Sequence, residues 1–117
     1  MPLTTTDIET RLRDLPGWRV DDGALTRDLV TDGWPTTIML VNAIAFLAEA
    51  ADHHPDLEVS FNTLRIALST HTAKGITAKD FALAQEIERL ALWRPGAGSA
   101  LAGTRREWVR EGPTPNG

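Results

Sequence analysis

Histidine is the side chain whose charge changes near neutral pH. All three histidines of this 117-residue chain, His53, His54 and His71, fall between Glu49 and Asp80. Carboxylates accompany them at Glu49, Asp52, Asp56 and Asp80. Imidazoles placed beside carboxylates suit general acid–base chemistry. Glu49 and His53 stand at i and i+4 at the end of a helix, so they are expected to share a face and touch. A helix C-terminus and a neighbouring carboxylate both favour imidazolium. Both are expected to raise His53 above its usual value of about 6.5 and suit it to donate a proton. The same spacing fits equally a polar helix cap held in an ion pair. His54 precedes Pro55 and leaves the helix, so it points elsewhere. His71 follows a strand end, where pocket residues gather. Asp80 also fits a capping role at a helix start, and Asp52, Asp56 and Glu58 read as solvated.

Other chemistries find less support. With no cysteine there is no disulfide, thiol nucleophile or thiolate metal site. Three histidines with carboxylates are zinc-type ligands, but no His-x-x-x-His pair shares a helix face, so no metal is expected. There is no Gly-rich phosphate loop and no Gly-x-Ser-x-Gly elbow. A net charge of −4 gives no footprint for nucleic acid. The apolar segment Ile38 to Ala51 is interrupted by Asn42 and Glu49 and reads as too short for a bilayer. Met1-Pro2-Leu3-Thr4 lacks the basic start of a secretory signal, so a cytoplasmic location is expected.

The elements that must position these residues alternate in type. Thr6 to Glu9 reads as a capping box opening a helix with Ile8, Leu12 and Leu15 on one stripe, stopped at Pro16-Gly17. Trp18 to Val20 and Ala24 to Val30 flank Asp21-Asp22-Gly23, a hairpin signature. A helix is predicted from Thr36 to His53, with a wide apolar face and Pro55 as its stop. Leu57 to Phe61 and Leu64 to Thr70 alternate with period two, giving a second hairpin around Asn62-Thr63. Thr77 to Asp80 opens a last helix with Leu83, Ile87 and Leu90 as its core stripe. The expected fold is α+β: a four-stranded antiparallel sheet with three helices packed on one face. Residues 1–92 form the domain. Residues 93–117 form an extension, irregular or partly docked, with Arg105 to Val109 as its docking segment.

One pattern goes further than the physics. Glu49-x3-His53-His54-Pro55-x5-Phe61-x9-His71-x8-Asp80 resembles the signature of the pterin-4a-carbinolamine dehydratases, also known as the dimerisation cofactor of a homeodomain transcription factor. Leu68-Ser69-Thr70-His71 and Gly75-Ile76-Thr77 are similar to family sequence, and the resemblance spans about residues 4–92. Leu57-Glu58 departs from it where an aromatic pair is common.

The resemblance implies dehydration of 4a-hydroxytetrahydrobiopterin to quinonoid dihydropterin, in recycling linked to an aromatic amino-acid hydroxylase. No metal or redox cofactor is implied. The positions matching the family's catalytic histidines are His53 as principal acid, His71 as second acid/base group and His54 as pterin holder. Glu49 would orient His53, and Asp80 would support His71 or the pocket rim. Ser69 and Thr70 would bind the ring through backbone groups, with Asp52 and Pro55 supporting the site. A homodimer or homotetramer is implied. The alternative is a non-catalytic protein-interaction module on the same fold, its apolar helix Thr36–Asp52 taking a partner helix.

Overall fold

The computed structural model describes residues 1–103 and 108–111. In chain order they form α1 (Thr5–Leu12), β1 (Trp18–Asp21), β2 (Ala24–Thr31), α2 (Trp34–Ala51), β3 (Asp56–Val59), β4 (Thr63–Leu68), a 3-10 turn (His71–Ala73), α3 (Ala78–Ala91) and β5 (Val109–Glu111). The capping box of α1 is Thr4 with Asp7, two residues before the expected pair. The predicted hairpins are both present. Asp22 and Gly23 take φ of 50° and 75°, the two positive values that suit a tight turn between twisted strands.

The antiparallel sheet runs β1-β2-β4-β3. Its fifth strand comes from the extension: β5 pairs β2 at Leu29 to Thr31, beyond the point where β1 ends at Trp18↔Arg27. Val109 stands in this strand and Trp108 just before it, while residues 105–107 lie outside the described residues.

Alternation sends Leu25, Leu29, Leu64, Ile66 and Leu68 to one face, where they meet Leu40, Ile44 and Ala48 of α2 and Phe81, Ala84 and Ile87 of α3. Arg27 points the same way and is 2% exposed. Its Nε and Nη2 donate to Glu88 of α3 at 2.7 and 3.3 Å, and the Trp18 indole N–H donates to the same carboxylate at 2.7 Å. On the outer face Asp28 takes Arg19 and Arg65 at 3.0 and 2.8 Å. Partial burial pushes the Asp28 carboxyl up. The Arg65 hydrogen bond and the two guanidinium charges outweigh it and hold the group below its ordinary value.

By length and composition alone, the 18-residue α2 is apolar enough to cross a membrane. It starts four residues before the apolar segment read from sequence. Here Thr36, Thr37, Leu40, Ile44 and Ala48 are buried within the fold.

Candidate active site

The site is built where α2 ends. Asp52 adopts the left-handed conformation (φ 48°, ψ 45°), a role more often given to glycine. Its N–H donates to the Glu49 carbonyl at 3.2 Å, and the His53 N–H to the Ala48 carbonyl at 3.0 Å. This pair of bonds is a Schellman closure, and it turns the chain one full step before Pro55 could stop it. His53 is therefore off the helix. It does not stack over Glu49 as the spacing suggested, because the i, i+4 rule holds only while the backbone stays helical.

The turn swings His53 across to α3, where its Nε2 lies 2.5 Å from Asp80 Oδ1. Asp80 has no exposed surface. Its other oxygen, Oδ2, accepts the Thr77 N–H at 2.8 Å and the Thr70 hydroxyl at 2.9 Å. The expected capping box is present, with Asp80 at its third position. The carboxylate also does two further things: it fixes His53 and ties down Thr70 at the start of the loop bearing His71. A buried carboxylate with every oxygen engaged meets the general requirement for buried charge.

His54 turns back along the helix end, and its Nε2 pairs with Glu49 on the exposed surface. Glu49 thus serves His54 rather than His53. His71 opens the 3-10 turn and is exposed, and its side chain makes no hydrogen bond among the described residues. Asp80 supports its loop through Thr70 rather than its ring. The backbone groups of Thr70 are consumed within that loop: its N–H donates to Gly75 and its carbonyl accepts from Ala73 and Gly75. They are not free for a ligand, contrary to the expectation from sequence. Ser69 sits on the opposite, outer face of the sheet, beside Asp56, Glu58 and Arg65. Pro55 is half-buried and leads into β3, and Asp52 is exposed.

A cavity of about 470 Å³ opens between the end of α2 and the start of α3. Leu47, Ala50, Ala51, Ala82 and Leu83 give it apolar walls, and His53, Lys79 and Glu86 supply polar groups. Of the three histidines, His53 alone borders it. Lys79 and Glu86 were not singled out from sequence. Lys79, Ala82, Leu83 and Glu86 do recur at helical spacing, a face signal that could have found them. Small walls with few polar groups are the usual make-up of a small-molecule site. Among the described residues, no group of three or more His, Asp or Glu side chains is arranged to hold a metal ion.

Comparison with known proteins identifies the family and the fold. The family model described as "Pterin 4 alpha carbinolamine dehydratase" matches residues 1–90. A protein of Aquifex aeolicus named "Putative pterin-4-alpha-carbinolamine dehydratase" is 46% identical over 88 residues, covering 75% of this chain and 89% of that one. A protein of the same name from Nocardia farcinica is 39% identical over 89 residues, covering 76% and 94%. The crystal structure of a transcriptional coactivator/pterin dehydratase from Brucella melitensis superposes with a TM-score of 0.75 at 30% identity, over 78% of this chain and 99% of that one. A pterin dehydratase-like protein described as a RuBisCO assembly factor in the alpha-carboxysome shares the fold, at 20% identity and a TM-score of 0.53, over 73% and 92%. With its fold, its histidine-bearing turn and these matches together, the chain belongs to the pterin-4a-carbinolamine dehydratase family.

Proposed function

We propose that the protein eliminates water from a 4a-hydroxytetrahydropterin, giving the quinonoid dihydropterin. The observation that carries the reading is an imidazole bordering an apolar cavity and held from behind by a buried carboxylate. His53 acts as the general acid toward the departing 4a-hydroxyl. His71, on the loop anchored by Thr70, is the second acid/base group, and His54 holds the pterin at the rim. The alanine and leucine walls suit a flat bicyclic ring, with Lys79 and Glu86 near its polar edges. The substrate would come from an aromatic amino-acid hydroxylase. The names of the relatives support the same reaction class.

The test is decay of 4a-hydroxytetrahydropterin, generated in situ by a hydroxylase, measured beside the uncatalysed reaction. Wild type should accelerate it, and His53→Ala should lose about 10²- to 10⁴-fold, the usual worth of a positioned acid. A folded protein without acceleration would favour the second reading, a non-catalytic interaction module. That reading draws on the exposed Met39 and Phe46 of α2 and on Trp93, which lines a cavity with Met39; the three are 49, 72 and 55% exposed. The same apolar face would let copies of the chain associate as a dimer or tetramer, which sedimentation would decide.

A further inference from the structure

The hydrogen bonds behind His53 have a readable direction. A carboxylate can only accept, so Asp80 receives from the Thr77 N–H, the Thr70 hydroxyl and His53 Nε2. The Thr70 hydroxyl has one proton and spends it on Asp80. The 2.7 Å contact between the Thr70 and Thr77 oxygens must then be donated by Thr77. Thr77 Oγ1 in turn accepts the Lys79 N–H at 3.3 Å. Each proton in the chain runs toward Asp80, and Nε2–H is the tautomer of His53 that completes it.

The other ring nitrogen is placed by elimination. His53 makes no second side-chain hydrogen bond among the described residues. No buried side-chain nitrogen or oxygen there lacks a partner. Nδ1 therefore belongs to the 12% of the His53 side chain that remains exposed, and His53 is one of the residues that line the cavity.

We propose that Thr70 is a positioning residue: acting through Asp80, it locks His53 as the Nε2–H tautomer and makes Nδ1 the atom that exchanges a proton with substrate. This rests on the dehydratase reading above. In the step, His53 starts with both nitrogens protonated. As the C4a–O bond breaks, its electron pair leaves with the oxygen, which takes the Nδ1 proton and departs as water. N5 loses its proton to a base, and the N–H pair becomes the C4a=N5 bond. His53 is left neutral with Nε2–H still on Asp80, and Nδ1 regains a proton from solvent. The electrons balance without an oxidant or reductant.

The test combines ring-nitrogen NMR of His53 in the ligand-free protein with dehydratase kinetics. Wild type should show the Nε2–H tautomer in its neutral form. Thr70→Val keeps the branched shape and the backbone bonds but removes the hydroxyl. It should mix the tautomers and lower kcat about 10-fold with KM nearly unchanged, and Thr70→Ser should restore both. Asp80→Asn offers an N–H to Nε2, forces the proton onto Nδ1, and should cost at least about 100-fold in kcat; a comparable tautomer swap in a serine-protease triad costs about 10⁴. An Nδ1–H tautomer in an active wild type overturns the proposal while leaving the dehydratase reading intact. So does a Thr70→Val protein with unchanged tautomer and kcat. The Nε2–H tautomer in a wild type that gives no acceleration overturns the dehydratase reading and the proton transfer at Nδ1; the positioning by Thr70 then stands if Thr70→Val mixes the tautomers and falls if it does not.

Discussion

Replacing Glu88 by alanine withdraws one carboxylate from three donors at once: Arg27 Nε, Arg27 Nη2 and Trp18 Nε1. Removing one member of a buried ion pair costs about 3–5 kcal/mol, because the remaining charge is left in a medium that solvates it poorly. Arg27 is 2% exposed and Glu88 18%, so some water reaches the pair and the lower end, about 3 kcal/mol, applies. For a domain of this size about 4 °C of Tm accompanies each kcal/mol, which predicts a fall of about 12 °C. Urea unfolding followed by circular dichroism should show a lower midpoint with an unchanged slope, the mark of lost stability rather than a changed denatured state. The effect should also reach the site. Asp80 is buried on α3 and Glu88 is part-buried about two turns further along, so a helix freed at Glu88 loosens the carboxylate that holds His53. A Glu88→Ala protein less than about 1 kcal/mol below wild type would refute the reasoning. It would mean that apolar packing alone holds α3 on the sheet.

Gly17→Ala should destabilise by at least about 2 kcal/mol in the same assay. The added Cβ would fall 1.7 Å from Arg27 Nη1, at a φ of +92° that alanine resists. Asp28→Asn should lower Tm at pH 7 and low salt but match wild type in acid. The Asp28 carboxyl is held below its ordinary 3.8, so its contribution is complete above that value and vanishes as pH falls through the lowered one. Val109→Asp buries a charge at a position 4% exposed and should release β5, seen as faster hydrogen exchange at Asp32, whose N–H donates to the Trp108 carbonyl. Dehydratase activity should survive, since Val109 faces the Thr36–Ala43 half of α2 and the His53 cavity adjoins the Leu47–Ala51 half. His54→Gln, on an exposed pair, should change stability by less than about 0.5 kcal/mol and raise KM more than it lowers kcat.

Local chemistry was legible in the sequence wherever a few adjacent residues decide the backbone. Asp22-Gly23 fixed the first hairpin, Thr77 with Asp80 fixed the start of α3, and alternation through Leu64, Ile66 and Leu68 fixed which face of β4 is buried. The end of α2 was misjudged because an aspartate took the left-handed position usually read from glycine, so Pro55 looked like the first stop. That single residue redirected two ion pairs. The partnership of His53 with Asp80 joins positions 27 apart, which no local rule reaches. Arg27 stood at an inward position of an alternating strand, but the carboxylate that makes its burial tolerable lies 61 residues away. The bond from the Thr70 hydroxyl to Asp80 spans ten residues from a strand end to a helix start, so the resemblance alone spoke to Thr70 and implied only a backbone role.

The strand supplied by the extension changes what the sheet offers to other chains. Without β5, the flank of β2 at Leu29 to Thr31 would carry unpaired N–H and C=O groups on the longest strand of the fold. With it, every outer margin of the sheet among the described residues is cut into pieces of four residues or fewer: β1, β5 and β3. Short margins give a foreign strand too few bonds to settle on. Val109 and Trp108 therefore act for the whole population of molecules as well as for their own fold. A protease that nicked the connection after α3 would leave the histidine site assembled, yet hand neighbouring copies a template for stacking. The residues that shorten this margin lie outside the part of the chain matched by its family.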